Sequence, residues 1–378
     1  MKIGILSLVL HSNYGGILQS YALQTVLERM GYEVVVFTKD LHANVGLFRY
    51  VKSIVGAFVR NHFIRNGFVS KSYRQLNKER DIIEQFTKAF IDKYIHTRVL
   101  KKLDAKALKD IDAAVVGSDQ VWRPRYFKDA WDTVIEDAYL QFAGDIPIKR
   151  LAYAASFGTD DWEYDEEETT NCSRLIKTFK AVSVREESGI QLCKDKLGMN
   201  QAIHVLDPTL LLCKDDYIHL VKKFNTTAPA GDMMCYVLDM NDEKKQLINH
   251  IAKEKGLTPF YMNSKYENDN AIITDRIQPP VEQWLRGFID CDFVVTDSFH
   301  ACVFSIIFNK PFIVVGNKRR GMARFQSLLR LFSLDNNLIS SVDEYKSGLD
   351  YTVSQKTYST LEKLKKQSMF FLIKAVES

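Results

Sequence analysis

Short apolar runs alternate with amphipathic segments along most of the chain. Near the start, the apolar run Lys2–Leu8 is followed by a loop, by a segment of helical periodicity that ends before Gly31, and by a second apolar run at Glu33–Phe37. The helical periodicity is carried by Ile17, Leu18, Tyr21, Ala22, Thr25, Val26 and Met30. A strand, a helix and a strand within about 30–40 residues are typical of a βαβ unit, so the pattern predicts a parallel sheet.

The alternation continues through the first half of the chain. A helix is predicted near Glu79–Tyr94, and short apolar runs bounded by Gly, Ser or charged residues predict buried strands at Ala113–Val116, Leu151–Ala155 and Ala181–Val184. Runs of this kind are typical of parallel strands covered on both faces. His204–Leu212 ends this first series.

A second series of the same kind begins after the polar segment Lys223–Asp232. It predicts strands and helices at Met234–Leu238, Glu243–Lys255, Thr258–Met262, Val281–Ile289, Phe293–Thr296, Phe299–Phe308 and Phe312–Val315, then a last amphipathic helix at Tyr358–Val376. We therefore expect an α/β protein of two Rossmann-like domains whose parallel sheets face a cleft. The expected units are residues 1–212, residues 213–350, and a C-terminal helix at 351–378 that packs back on the first domain.

Composition narrows the class of protein. The 378 residues are 46% hydrophobic and 26% charged, which excludes general disorder. Lys and Arg total 51 against 47 Asp and Glu, so the bulk charge does not call for a nucleic-acid partner. No window is apolar enough to span a bilayer. The six cysteines form no C-x-x-C pair, which favours reduced thiols in a cytoplasmic protein and predicts no metal site.

Small, hydroxylic or charged residues follow five of the predicted strands. They stand at 117–120, 156–158, 185–187, 297–300 and 316–320. Ligands of open parallel sheets bind at the carboxyl ends of the strands, so five such junctions predict a ligand cleft between the domains.

The junction at 297–300 carries the most chemistry. Asp297 or Ser298 can cap the following helix, and His300 then lies in its first turn, where free N–H groups and the helix dipole suit a phosphate. A capped helix whose histidine only packs is the alternative. A basic cluster after the neighbouring strand can reach the same helix terminus, which favours the anion site: Lys318, Arg319, Arg320 and Arg324.

Two strand-end residues of the first series are further candidates. Arg185 offers a fork suited to a carboxylate, although pairing with Glu186 or Glu187 would explain it equally well. Asp119, next to Ser118 in a Gly-Ser-Asp turn, could act as a base or could only stabilise the turn.

The loop before the first helix also suits a ligand. Asn13, Tyr14, Gly15 and Gly16 begin that helix, and glycines let backbone approach a ligand closely. The spacing is not G-x-G-x-x-G, so no dinucleotide is inferred.

Residues 45–69 form a basic, aromatic and amphipathic stretch. Such a helix could lie on an anionic membrane as a peripheral contact, or it could cover the sheet or line the cleft.

Taken together, these motifs resemble the polysaccharide pyruvyl transferase family over most of the chain. The resemblance rests on the order and spacing of NYGGILQSYALQ, VVGSDQVW, AYAASFG, SVREESG, LDPTLLL and VTDSFHACVFSIIFNKPF, followed by the basic segment through Arg324. It implies a fold similar to GT-B glycosyltransferases and transfer of a pyruvyl group from phosphoenolpyruvate to two hydroxyls of a sugar or lipid-linked oligosaccharide, with no cofactor. We therefore expect a cytoplasmic protein, either free in the cytoplasm or at the inner face of the membrane.

The resemblance also implies roles for individual residues. His300 matches the histidine of the donor pocket and Arg185 its strand-end arginine. Better-studied members carry an arginine where this chain has Ser298, so Arg319, Arg320 or Arg324 is expected to supply the missing charge. His300 would then act as the acid and Asp119 as the base. The alternatives are a nucleotide-sugar glycosyltransferase and a catalytically inactive protein that binds anionic glycans.

Overall fold

The computed structural model describes residues 1–42, 52, 71–316 and 321–378. Within these ranges the strands form two parallel sheets, one from each half of the chain. The expected α/β class, with two parallel sheets facing a cleft, is confirmed.

The first sheet has the order β3-β2-β1-β4-β5-β6-β7, and every neighbouring pair is parallel. Its strands are β1 (Lys2–Leu6), β2 (Glu33–Lys39), β3 (Thr97–Leu100), β4 (Ala113–Val116), β5 (Lys149–Ala155), β6 (Ala181–Val184) and β7 (Ile203–His204). The second sheet has the order β12-β11-β10-β8-β9 and is also parallel. Its strands are β8 (Met233–Tyr236), β9 (Pro259–Tyr261), β10 (Phe293–Thr296), β11 (Phe312–Val315) and β12 (Leu338–Ile339).

Helices cover both faces of each sheet. In the first half they are α1 (Tyr14–Arg29), α2 (Tyr73–Ile83), α3 (Gln85–Tyr94), α4 (Pro124–Trp131), α5 (Glu166–Ile176), α6 (Glu187–Leu197) and α7 (Lys214–Lys222). In the second half they are α8 (Asp242–Lys255), α9 (Ile273–Arg276), α10 (Val281–Asp290), α11 (Phe299–Ile307), α12 (Ala323–Leu331) and α13 (Gln355–Glu377).

Each sheet changes its direction of strand order at one point. In the first sheet that point lies between β1 and β4, and in the second between β8 and β10. Loops diverge at such a point and leave a crevice at the carboxyl ends of the strands. Residues that follow all four of these strands line one shared cleft, so the two crevices open toward each other.

The two halves share one apolar core. Side chains from both sheets belong to a single cluster of buried hydrophobic residues, which includes the buried helix α11. The Tyr14 ring stacks on Trp284 at 5.2 Å between centroids, and its hydroxyl donates to the Pro279 carbonyl at 2.6 Å. The halves are therefore packed face to face behind the cleft.

The last helix returns to the first half. In α13, the Ser368 hydroxyl accepts from the Leu206 amide at 3.0 Å, and the Val376 carbonyl accepts from Lys149 Nζ at 2.6 Å. These contacts tie the C-terminus to the end of the first α/β series.

The strands at the sheet margins differ most from the sequence pattern. The pattern did not predict β3 or β12, because β3 (TRVL) begins with two polar residues and β12 has only two residues. The predicted helix near Glu79–Tyr94 is a pair of helices, α2 and α3, which meet at Glu84.

Candidate active site

A cleft of about 860 Å³ lies between the two sheets. Its walls come from the loops after β1, β4, β8 and β10 and from α2 and α12. The lining side chains that could act on a ligand are His11, Asn13, Arg80, Asp119, Arg276, Ser298, His300 and Arg324. Five of these were predicted from the sequence: Asn13, Asp119, Ser298, His300 and Arg324.

Helix α11 begins at the floor of this cleft. Ser298 stands at its N-cap position, and within the described residues its side chain makes no capping hydrogen bond to the helix. The Asp297 carboxylate accepts from the Leu238 and Asp239 amides and from Lys244 Nζ at 2.6–3.1 Å. Helix α11 thus begins without a side-chain cap from Ser298, and its first N–H groups lie at the positive end of the helix dipole.

His300 lies in the first turn of α11 and is 7% exposed. Its Nε2 is buried without a hydrogen-bond partner in the described part of the chain, and it faces Asp207 Oδ2 at 3.6 Å. A carboxylate at this position stabilises a proton on Nε2. Nδ1 is thus the nitrogen left for a ligand.

Asp207 holds the packed side of this imidazole. Burial alone would raise the pKa of Asp207, but His300 and Arg185 outweigh burial and hold that pKa well below its usual range. Its other oxygen, Oδ1, accepts from the Thr209 amide and hydroxyl at 3.0 and 2.7 Å. Asp207 is therefore a fixed carboxylate.

Arg185 is placed behind the imidazole and does not line the cleft. It is 4% exposed, and its guanidinium donates to Asp207 at 2.8 Å, Asp119 at 3.3 Å and Glu186 at 3.4 Å. Burial opposes the charge, but the three carboxylates prevail and raise the pKa of Arg185. The sequence left open whether this arginine pairs or binds a ligand, and the geometry is that of pairing.

Asp119 lines the cleft but is already engaged by Arg185. Burial would raise the pKa of Asp119, yet Arg185, His300 and Arg324 together lower it. A carboxylate stabilised in this way is a weak base.

Arg324, from the first turn of α12, brings a cation to the open side of the cleft. Burial and the neighbouring Arg185 lower the pKa of Arg324 to about 10. Its guanidinium carbon lies 5.3 Å from the centre of the Phe299 ring, and that of Arg185 lies 4.6 Å from the same ring. Phe299 is thus in contact with both arginines.

The start of α1 meets the start of α11. Asn13 caps α1, since its Oδ1 accepts from the Gly15 amide at 3.0 Å. A β-carbon at Gly15 would lie 1.9 Å from His300 Nδ1, whereas one at Gly16 would meet nothing closer than Asn13 Nδ2 at 3.6 Å. The absence of a side chain at Gly15 is therefore what lets the imidazole sit against the first turn of α1.

Two predicted binding residues lie away from the cleft. Tyr14 is 1% exposed and belongs to the core between the halves. Ser118 is fully buried: its amide donates to Gln19 Oε1 at 3.0 Å and its hydroxyl to the Ala154 carbonyl at 2.8 Å. Both residues hold the frame of the site instead of facing a ligand.

Other predictions fall outside the described residues. Lys318, Arg319 and Arg320 do so, and so does the stretch 45–69 apart from Lys52. Gly321, which follows that basic segment, approaches the Gly158 carbonyl so closely that a β-carbon there would lie 2.2 Å from the oxygen. The chain therefore enters α12 beside the carboxyl end of β5.

The profile of the family described as polysaccharide pyruvyl transferase matches residues 13–319. The chain belongs to this family. The match spans the loop that begins α1, the Asp207 region and the start of α11.

Solved structures resemble this family member along nearly its whole length at low identity. A UDP-GlcNAc 2-epimerase from Neisseria meningitidis, bound to UDP-GlcNAc, is 11% identical over 99% of this chain and 94% of its own, with a TM-score of 0.48. Arabidopsis thaliana UGT89C1 complexed with UDP-L-rhamnose is 8% identical over 97% and 94%, with a TM-score of 0.45. The E. coli heptosyltransferase WaaC with ADP is 13% identical over 85% and 92%, with a TM-score of 0.35. Comparison with curated proteins gave no match.

Sequence reasoning about this pyruvyl transferase family member missed four residues that the fold brings to the site. Asp207 stands in the quoted LDPTLLL motif, and an aspartate just after a strand was a usable signal. His11 precedes the Asn13 loop. Burial and Arg80 lower the pKa of His11, against opposing effects of Asp119 and Glu267. Arg80 and Arg276 come from helices, where the pattern carried no signal for a ligand.

The described ranges contain no group of three His, Cys, Asp or Glu side chains arranged to hold a metal ion. Among the helices in those ranges, none has the length and apolar character to cross a bilayer.

Proposed function

We propose that this transferase moves the pyruvyl group of phosphoenolpyruvate onto two hydroxyls of a sugar, in a cell-surface polysaccharide or its precursor, and forms a pyruvate ketal. The family supports transfer of a pyruvyl group to polysaccharide. The observation that carries the donor assignment is the uncapped start of α11, with His300 in its first turn and Arg324 in the same cleft.

The donor carries a phosphate and a carboxylate. The N–H groups at the start of α11 and the guanidinium of Arg324 would hold the phosphate, because a helix N-terminus and an arginine both favour a dianion. Ser298 adds a hydroxyl where an arginine was expected from the resemblance, so Arg324 takes over that charge. The carboxylate would lie toward Asn13 and the start of α1.

The reaction begins with a proton transfer to carbon. His300 gives a proton to the methylene carbon, which leaves the central carbon electron-poor, and the first sugar hydroxyl adds there to form a carbon–oxygen bond. Phosphate then leaves with the electron pair of its carbon–oxygen bond, and the second hydroxyl closes the ketal. The base takes the two hydroxyl protons in turn; one is then returned to His300 and the other leaves with the phosphate, so the base ends the cycle neutral.

Asp207 and Arg185 act behind this imidazole. Asp207 faces Nε2 at 3.6 Å, so Nδ1 is the ring nitrogen that would meet the donor. Arg185 keeps Asp207 ionised and in place. Neither residue needs to touch the donor in this mechanism.

A base must accept the hydroxyl protons. Asp119 was the first candidate, but its carboxylate is engaged by Arg185 and its pKa is lowered. His11 also lines the cleft, and its Nδ1 is engaged with the Ser12 hydroxyl at 3.1 Å, which leaves Nε2 for a ligand. The lowered pKa of His11 keeps this imidazole neutral near neutral pH, so we assign the base to His11.

The reducing cytoplasm is the compartment we propose. All six cysteines are free thiols, and five of them are buried. Burial raises the pKa of the Cys193 and Cys235 thiols to about 12, so these thiols are unreactive.

The test is phosphate release from phosphoenolpyruvate with sugar acceptors, with the ketal carbon followed by NMR of the isotope-labelled donor. We expect phosphate and ketal in equal amounts, and neither without an acceptor. Calorimetric binding of a nucleotide sugar, with phosphoenolpyruvate silent, would favour a glycosyltransferase instead. Binding of glycans with no turnover of any donor would leave an idle glycan-binding protein.

A further inference from the structure

Arg80 is a cationic side chain in the cleft wall, and one nitrogen of its guanidinium has no hydrogen-bond partner among the described residues. It lies near the end of α2, is half-buried, and lines both the main cleft and an adjoining cavity of about 360 Å³. Its Nη1 is buried and has no hydrogen-bond partner among the residues that the structure describes. An unmet buried guanidinium N–H is costly, so it marks a position where a ligand would be stabilised.

Arg276 provides a second unmet donor in the same wall. It is 6% exposed, and its Nη atoms donate to Glu79 at 3.1 Å and to Asp269 at 2.6 Å. Its Nε is buried and lacks a partner in the described ranges. Two guanidinium groups, from α2 and α9, thus each bring one unused N–H to this end of the cleft.

The carboxylates near this pair do not neutralise Arg80. Glu79 is shared between Arg276 and Lys71, whose Nζ lies 2.7 Å from its Oε2. Burial raises the pKa of Glu84, although Arg80 opposes the shift. Among the residues that the structure describes, no carboxylate forms an ion pair with Arg80 within 4 Å.

This end of the cleft is separate from the donor pocket. Arg80 and His11 also line the adjoining cavity, whereas Ser298, His300 and Arg324 line only the main cleft. In the row of Arg80, His11 and His300, Arg80 therefore lies on the side of that cavity, away from the start of α11.

We propose that Arg80 and Arg276 form a second anion subsite, which binds a phosphoryl group carried by the acceptor sugar. One N–H from each of two helices suits a tetrahedral group, whose oxygens diverge, whereas a planar carboxylate would be held by both prongs of one arginine. The assignment of this sugar as the acceptor rests on the proposed function. The row then orders the reactants: donor at His300, reacting hydroxyls at His11, phosphoryl group at Arg80.

The test compares Arg80→Gln with Arg74→Gln, which removes an exposed arginine from the same helix outside the cleft. Inorganic diphosphate is the probe, titrated by calorimetry into each variant and the unmodified protein. We expect Arg80→Gln to weaken diphosphate binding by about ten- to hundredfold and Arg74→Gln to leave it unchanged. Arg80→Lys, which keeps the charge without the fork, should fall between them.

Kinetics then assign the subsite to one reactant. Arg80→Gln should raise the KM for a phosphorylated acceptor by a larger factor than the KM for a neutral acceptor, and it should leave the KM for phosphoenolpyruvate unchanged. Equal diphosphate binding in Arg80→Gln and Arg74→Gln would overturn the subsite, and so would a loss confined to phosphoenolpyruvate. If the unmodified protein binds diphosphate through Arg80 but never turns over phosphoenolpyruvate, the subsite stands and the pyruvyl-transfer proposal fails.

Discussion

The two sides of His300 are built from opposite kinds of polar group. On the packed side, Arg185 is surrounded by three carboxylates and is 4% exposed. On the open side, Arg324 lines the cleft, and burial together with the neighbouring Arg185 lowers its pKa. Arg185 is therefore held by carboxylates of the protein behind the imidazole, whereas Arg324 faces the cleft in which we place the donor.

Removing the group between the two sides should have the largest effect. We expect His300→Gln to lower kcat by about 10²- to 10⁴-fold, the range for loss of a general acid, while the protein stays folded. His96→Gln is the matched control, because that histidine is exposed and bonded to Glu28. Turnover of phosphoenolpyruvate at near-normal rates by a folded His300→Gln protein would remove His300 from the chemistry.

Arg185 tests the packed side. The resemblance predicts a raised KM for phosphoenolpyruvate in Arg185→Ala, whereas the geometry predicts a loss of stability of about 3–5 kcal/mol, because Asp119, Asp207 and Glu186 would stay buried without their cation. Urea unfolding measures the loss. A variant of unchanged stability with a raised donor KM would return Arg185 to the binding site.

Gly15 tests the contact between the ring and α1. Gly15→Ala should lower kcat by up to about 10²-fold, since its β-carbon would displace the imidazole by an ångström or more. Gly16→Ala, one residue further in the same turn, has room for its methyl group and is the control. Identical steady-state rates in the two variants would show that the ring is not held at Gly15.

Arg324 tests the open side. Arg324→Gln should raise the KM for phosphoenolpyruvate by about tenfold, because a charge-assisted contact to the phosphate is lost. Its stability should change less than that of Arg185→Ala, since burial already disfavours this charge. If Arg324→Gln lost as much stability as Arg185→Ala and kept its KM for phosphoenolpyruvate, Arg324 would have a structural role like that of Arg185.

His11 gives the smallest expected effect. The pKa of His11 is lowered in the folded protein, with burial as the main cause. Below the ordinary pKa of 6.5, the unfolded chain therefore binds a proton at His11 that the folded protein does not bind. Stability should therefore fall as pH drops through 6.5, and His11→Gln should remove that part of the fall. The free energy of unfolding of both proteins is measured above and below pH 6.5. The same difference between the two proteins at both pH values would contradict the lowered pKa.

Features set by local pattern were predictable, and those set by distant partners were not. The apolar strands and the polar residues that follow them placed Ser298, His300 and Arg324 at one cleft, because parallel strands end at the same edge. The partners of Arg185 come from elsewhere: Asp207 is 22 residues away and Asp119 is 66. The spacing of residues in the sequence does not predict that Arg185 pairs with these two aspartates.

Burial posed the same difficulty at single positions. Ser118 follows a strand as a ligand-binding serine would, yet Gln19, 99 residues earlier, satisfies its amide. Tyr14 lies in a glycine-rich loop and is covered by Trp284 of the other half. Both positions depend on how the halves dock, which periodicity does not encode.

The contact between Gly15 and His300 couples the evolution of two positions that are distant in the sequence. Any descendant that acquires a methyl group at position 15 must also shift or shrink the side chain at 300, and a larger aromatic at 300 would forbid everything but glycine at 15. Drift at either position is therefore conditional on the other, and paired substitution at these two positions would mark relatives that have abandoned the chemistry.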